Sequence, residues 1–142
     1  MKMISKLKKI LIRVFVVFVI IMIIFIIGLQ MKLKGFSDEI KKIEVNNIEL
    51  SFIADGKYKG EYYMNEMAGA TVEVTVQNHK IVKINILEHN TGLGKKAEVI
   101  TENVIDQQSL EVDTISGATG SSIIILKAID NALNEKNNEK RE

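Results

Sequence analysis

The chain has 142 residues, 46% of them hydrophobic and 26% charged, and its formal net charge at pH 7 is +1. The first 29 residues carry five basic and no acidic side chains, so the remainder has 18 acidic residues against 14 basic ones, a net charge of −4. A mildly acidic domain without a basic patch argues against nucleic-acid binding. The absence of cysteine excludes disulfides, cysteine-ligated iron–sulfur clusters and C-x-x-C-H haem sites.

The N-terminal segment predicts a single membrane span. Residues 10–29 are apolar apart from Arg13, and at about 1.5 Å per residue a helix of this length covers roughly 30 Å, the thickness of the hydrocarbon core. A cleaved signal peptide is the alternative, because residues 1–9 are basic. The apolar run is longer than a signal peptide needs, however, and residues 27–31 lack the small-residue pattern of a cleavage site. We therefore expect an uncleaved anchor with the N-terminus inside and the soluble domain on the extracytoplasmic side.

A polar linker is expected over residues 30–49. The Lys-Gly pair at residues 34–35 predicts a break, followed by a short helix. The folded domain is expected over residues 50–134, and residues 135–142 form a polar tail.

The first half of this domain predicts β-structure. Residues 57–62 follow an Asp-Gly turn signal and predict a short strand. In residues 72–76 valine alternates with polar side chains, and in residues 82–86 valine and isoleucine do the same. Asn78 and His79 lie between these two runs and make a tight connection. The pattern predicts an antiparallel hairpin with one buried face.

The second half predicts two helices. Apolar side chains recur at helical spacing in residues 97–108 and again in residues 122–133. Residues 110–115, between them, predict a short strand. The expected order is β-β-β-α-β-α, which is an α+β domain with a small antiparallel sheet and two packed helices.

The run Asp113-Thr114-Ile115-Ser116-Gly117-Ala118-Thr119 precedes the last helix. Gly117 and Ala118 remove side-chain bulk, so a large group can approach the backbone. The helix start just beyond offers unpaired N–H groups and the positive end of a dipole, which suits a phosphate. Thr119 supplies a hydroxyl to which a phosphate-linked cofactor can be attached.

Other residues of this run have expected roles around the phosphate. Ser116 and Ser121 can donate hydrogen bonds to phosphate oxygens, and Ser121 or Ser122 can also cap the last helix. Asp113 would repel a phosphate at contact distance, so we expect it to brace the turn or to contact an attaching enzyme. On spacing alone, an ordinary junction between a loop and a helix has the same sequence and is the alternative.

The run resembles the acceptor motif Asp-x-x-(Ser/Thr)-Gly-Ala-Thr of the FMN-binding domain family. The resemblance covers residues 54–133, including the opening Asp-Gly-Lys-Tyr-Lys-Gly at residues 55–60 and the valine-rich hairpin. It implies an FMN cofactor whose phosphate is esterified to Thr119 by a separate flavin transferase that uses FAD as donor. No histidine lies near Thr119 in sequence to act as a base, which agrees with a separate enzyme.

The middle loop departs from the family pattern Glu-Thr-Pro-Gly-x-Gly. This chain has there the run His89-Asn90-Thr91-Gly92-Leu93-Gly94. The resemblance implies that Gly92, Leu93 and Gly94 contact the flavin, since the two glycines permit close approach of a flat ring. His89 either hydrogen-bonds the polar edge of the flavin or is solvated. Outside the loop, Thr114 stands where glycine is common, and Gly120 replaces a more usual apolar residue.

The expected function is that of a membrane-anchored FMN protein that carries electrons between redox partner proteins. No residues for substrate turnover are identified, and His79 and His89 are not spaced as a metal-binding pair. Two alternatives stay open. The first is that the chain is the flavin subunit of an ion-pumping respiratory complex, although such subunits are generally longer. The second is that it is a non-redox sensor or assembly module tethered to the membrane.

Overall fold

The N-terminal helix α1 spans Lys2–Ile40. The protein was analysed as a computed structural model that describes residues 2–90 and 94–135. Within α1 the stretch Lys8–Ile40 is long and apolar enough to cross a membrane, and its most apolar window has no buried residue. The predicted break at residues 34–35 is wrong, because the helix continues through Gly35. A single glycine costs a helix only about 1 kcal/mol, and its neighbours are compatible with helix.

A compact unit begins at Ile40, ten residues before the predicted start of the domain. Ile40 and Ile48 are buried in its core. The backbone N–H of Asn46 donates to Oδ2 of the buried Asp130 at 3.1 Å. The apolar residues of this segment, Ile40, Ile43, Val45 and Ile48, are separated by polar ones with no sustained period, so the sequence indicates part of the linker.

Three antiparallel strands form the sheet in the order β1-β2-β3, where β1 is Gly56–Asn65, β2 is Ala68–Gln77 and β3 is Lys80–Asn90. Asn78 and His79 connect β2 to β3 with φ of 52° and 58°. Two successive positive φ values are the requirement of a type I′ turn, whose twist matches that of the strands. The predicted hairpin and the α+β class are confirmed.

The buried face of the sheet is regular in β2 and interrupted in β3. The alternating valines of β2 are fully buried. Val82 is an extra residue in β3, because Thr75 of β2 pairs with Lys83 and the next residue, Val76, pairs with Ile81. Leu87 is extra in the same way, because Thr71 pairs with Glu88 and Val72 pairs with Ile86. Val82, expected on the inner face, is consequently 46% exposed, and Ile81 is buried in its place.

A single 3₁₀ turn, Leu50–Phe52, precedes β1. After β3 the helical elements are the 3₁₀ turn Gly94–Val99, α2 (Ile100–Gln107), α3 (Thr119–Asp130) and a π-helical turn (Asn131–Glu135). The 3₁₀ turn occupies the start of the first predicted helix, so α2 begins later than expected. The polar tail expected over residues 135–142 lies outside the described residues after position 135.

Residues 110–115 do not form the predicted fourth strand, since the sheet has three strands in the described part of the chain. Side chains bind this segment instead of a neighbouring strand. The N–H of Leu110 donates to Asn47 Oδ1 at 3.3 Å, and the N–H of Ile115 donates to Ser122 Oγ at 3.0 Å. A strand-like sequence pattern does not show whether the backbone will bond to side chains or to a neighbouring strand.

Gln108 ends α2 and covers part of the outer edge of β3. It adopts a left-handed conformation with φ of 52°. Its side-chain Oε1 accepts the N–H of Ile81 at 2.8 Å, and its Nε2 donates to the carbonyl of Ile81 at 2.8 Å. The amide therefore bonds to the β3 backbone as a neighbouring strand would.

Helix α3 packs across β1 and β2 and supplies much of the core. Gly60 of β1 makes this approach possible. A Cβ atom at Gly60 would collide with the carbonyl oxygen of Ala128 and the backbone nitrogen of Ala132. The helix that begins at Thr119 is thus held on the sheet by backbone contact at its far end.

Candidate functional site

A tight turn over residues 115–118, which we call the acceptor turn after the motif that contains it, leads into α3. The N–H of Ala118 donates to the carbonyl of Ile115 at 2.9 Å, which closes the turn. Gly117, its third residue, has φ of +72°. A type II turn requires a positive φ at this position, where glycine carries no steric penalty. The glycine of the motif therefore has a conformational reason in addition to its small size.

Helix α3 begins at Thr119, three residues earlier than predicted, and its N-cap is Ala118. The expected capping by Ser121 or Ser122 is wrong, because the N-cap position is Ala118 and both serines lie inside the helix. Ser122 is fully buried, and its Oγ accepts the N–H of Ile115 at 3.0 Å. This bond fastens the turn to the first turn of the helix.

Thr119 is exposed and is the first helical residue of α3. Its hydroxyl makes no hydrogen bond to any residue that the structure describes. The helix's hydrogen bonding starts after it, with the N–H of Ser122 donating to the carbonyl of Ala118 at 2.9 Å. Thr119 therefore lies among the orphan N–H groups and at the positive end of the helix dipole, where a negative charge is stabilised.

The remaining motif residues differ in accessibility. Ser116 and Gly117 are exposed, Ser121 is half-buried and Ala118 is buried. Asp113 is exposed and makes no hydrogen bond or ion pair with the described residues. The structure therefore gives no support to a role for Asp113 in bracing the turn, which the Ile115–Ser122 bond holds instead.

Lys96 lies over the acceptor turn, and the sequence reasoning missed it. The 3₁₀ turn that carries Lys96 packs against α3. A Cβ atom built on Gly117 would be 2.8 Å from Lys96 Nζ, so the ammonium group rests where any other residue would have a side chain. In the sequence, this contact is marked only by a basic residue two positions after Gly94.

His89 is not a solvated loop residue, because it lies in β3 and its side chain is 3% exposed. Its Nδ1 is 3.1 Å from Glu98 Oε1, which links the strand to the 3₁₀ turn. Its Nε2 is buried and has no hydrogen-bond partner among the described residues. An unsatisfied buried polar atom costs about 1–3 kcal/mol, so a ligand that binds this nitrogen would gain from it.

These positions fit a phosphate-linked flavin at its phosphate end. An exposed hydroxyl, a helix N-terminus and an ammonium group converge on residues 117–119. Gly94 is buried and opens the 3₁₀ turn, while Gly92 and Leu93 lie outside the described residues. In residues 2–90 and 94–135 no group of three His, Asp or Glu side chains is arranged to hold a metal ion.

Comparison with known proteins identifies this domain. The model of a family described as the FMN-binding domain matches residues 67–134, which include β2, β3, both domain helices and the acceptor turn. No curated protein matches the chain. The family expected from the motif is confirmed, and its cofactor is FMN.

Proposed function

Residues 67–134 belong to the FMN-binding domain family, and from that premise we propose that the chain is a membrane-anchored electron-transfer protein with FMN bound covalently to Thr119. One observation carries the proposal. The Thr119 hydroxyl is exposed at the first residue of α3, so a phosphodiester formed there lies at the helix N-terminus. A buried hydroxyl would have excluded this chemistry.

The attachment is a phosphoryl transfer from FAD. The Thr119 oxygen forms a bond to the phosphorus of the FMN half, and the bond from that phosphorus to the AMP oxygen breaks. AMP leaves with the bonding electron pair, and the hydroxyl proton passes to a base. Since no described residue is hydrogen-bonded to the Thr119 hydroxyl, we assign the base to a separate flavin transferase, together with a metal ion that offsets the diphosphate charge.

Residues of this chain would hold the cofactor after attachment. Gly117 keeps the backbone open beside the phosphate, and we assign hydrogen-bond donation to the hydroxyls of Ser116 and Ser121. The buried Nε2 of His89, which has no hydrogen-bond partner among the described residues, is assigned to a polar group of the flavin ring. Asp113, exposed and without a partner in the described part of the chain, is assigned to contact with the transferase.

The bound FMN supplies electron exchange, and the protein supplies its position and surroundings. A cofactor attached at an exposed helix end stays accessible to other proteins, which suits a carrier between redox partners. Helix α1 provides the anchor, because the stretch Lys8–Ile40 is long and apolar enough to cross a bilayer. We place the domain on the extracytoplasmic side, since the denser cluster of basic residues, five within positions 2–13, precedes the span.

Mass measurement tests the covalent link directly. Co-expression with an active flavin transferase should raise the mass of the full chain by FMN less one water, and its flavin fluorescence should survive a denaturing gel. The chain expressed without transferase is the control and should carry no covalent flavin. An unchanged mass beside a labelled acceptor protein in the same cells would contradict covalent attachment and favour the non-redox module.

Protease accessibility tests the topology. Protease added to intact spheroplasts should remove the domain that begins at Ile40, while the α1 segment stays in the membrane fraction. Lysed spheroplasts serve as the control, because there the domain should be cut on either side of the membrane. Full protection in intact spheroplasts and cleavage after lysis would contradict the extracytoplasmic placement.

A further inference from the structure

Lys96 holds a positive charge against the acceptor turn with nothing in the described chain to neutralise it. Its Nζ would be 2.8 Å from a Cβ atom on Gly117. Its side chain is exposed, and it makes no ion pair or hydrogen bond with the residues that the structure describes.

The element that carries Lys96 is fixed on both sides. Glu98, in the same 3₁₀ turn, contacts the buried His89 of β3 through a 3.1 Å interaction. The turn also packs against α3, and its residue Ala97, next to Lys96, is fully buried in the core. The backbone beneath the ammonium group is therefore positioned by contacts other than those of Lys96 itself.

We infer that Lys96 is the cation that binds the FMN phosphate, as the phosphodiester in the attached cofactor and as the phosphate monoester when FMN binds unattached. This inference rests on the proposed function for the place of the phosphate at Thr119. An ammonium group and a phosphate oxygen form a charge-assisted hydrogen bond, which is about twice as strong as a neutral one. Lys96 and the N-terminus of α3 then act on the same anion from two elements.

Gly117 is part of the same arrangement. A side chain at that position would occupy the space of the Lys96 ammonium, and its φ of +72° already disfavours other residues. The open surface above Gly117 is thus where the cation and the phosphate meet. Lys95, the adjacent residue in the chain, is exposed as well and lies against no glycine of the turn.

The test compares Lys96→Gln with Lys95→Gln in the full chain. Covalent labelling by the transferase should slow roughly tenfold in Lys96→Gln, as expected for the loss of one charge-assisted hydrogen bond. Lys95→Gln should label at the wild-type rate, and Lys96→Arg should recover most of the rate. The difference in labelling rate between wild type and Lys96→Gln should shrink at high ionic strength, because the pair of ammonium and phosphate is exposed to solvent.

A second measurement does not involve the transferase. In full-length Thr119→Ala protein, unattached FMN should bind roughly tenfold more tightly than riboflavin, which lacks the phosphate. Adding Lys96→Gln should remove most of this preference and leave riboflavin binding unchanged. The melting temperature of the flavin-free protein should be the same with and without Lys96→Gln, which separates a ligand role from a structural one.

The two measurements together decide the inference. An unchanged preference for FMN over riboflavin in Lys96→Gln would overturn it, even if labelling slowed, because the lysine would then contact the transferase. Wild-type protein that takes up no label would contradict the proposed covalent attachment. In that case the comparison of FMN with riboflavin still decides whether Lys96 binds the phosphate.

Discussion

Replacing Thr119 with alanine is expected to abolish covalent FMN completely while the domain stays folded. The oxygen atom that forms the phosphodiester is absent in this variant, so no partial labelling can occur at the same position. The side chain is exposed and makes no hydrogen bond in the described residues, so its loss should change the free energy of unfolding by no more than about 0.5 kcal/mol. Intact-protein mass spectrometry after co-expression with the transferase measures the result.

Two matched variants make this result specific. Ser116→Ala removes a neighbouring exposed hydroxyl in the same turn and should still be labelled. Thr119→Ser keeps a hydroxyl at the acceptor position and should be labelled as well, although more slowly if the methyl group helps to orient the oxygen. Labelled Thr119→Ala protein would place the flavin on another residue and refute the assignment.

Gly60→Ala should destabilise the domain strongly. The added Cβ atom would meet the carbonyl oxygen of Ala128 and the backbone nitrogen of Ala132. These are main-chain atoms of α3 and of the π-helical turn, so relief requires the helix to move away from the sheet. We expect a loss of about 3 kcal/mol or more in the free energy of unfolding, at the upper end of the range for overpacked sites.

Gly56→Ala is the control for this substitution, because it makes the same chemical change in the same strand. A Cβ atom there would be 3.7 Å from the nearest atom of the Tyr58 ring, an ordinary van der Waals contact. Its effect should stay within about 0.5 kcal/mol. Denaturant unfolding of the detergent-solubilised chain measures both, and equal midpoints for the two variants would contradict the close packing of α3 on β1.

The features predicted correctly from the sequence depend on local patterns. Alternating valines in β2 mark a half-buried strand because side chains of a strand point to opposite faces in turn. The apolar length of the N-terminal segment similarly fixes a membrane-length helix without reference to any other part of the chain. The motif ending at Thr119 identified the family, since several small residues at defined spacing are required there.

The features that were missed depend on contacts between distant residues. Lys96 lies twenty-one positions before Gly117, and only the packing of the 3₁₀ turn on α3 brings them together. The exposure of Val82 follows from the strand register, because an extra residue in β3 shifts the faces without changing the local pattern. Likewise, the start of α3 depends on the turn that closes at Ala118. The apolar periodicity later in the helix does not show where the helix begins.

The interaction between Gln108 and Ile81 has a consequence for a protein with a helix long and apolar enough to anchor it in a membrane. Copies of an anchored protein meet one another often, and an unpaired strand border is a template for strand-by-strand association. Here the amide of Gln108 already uses both main-chain groups of Ile81, and the two irregularities of β3 prevent a straight run of free groups. A second copy could therefore pair with β3 at Ile81 only after displacing the Gln108 side chain.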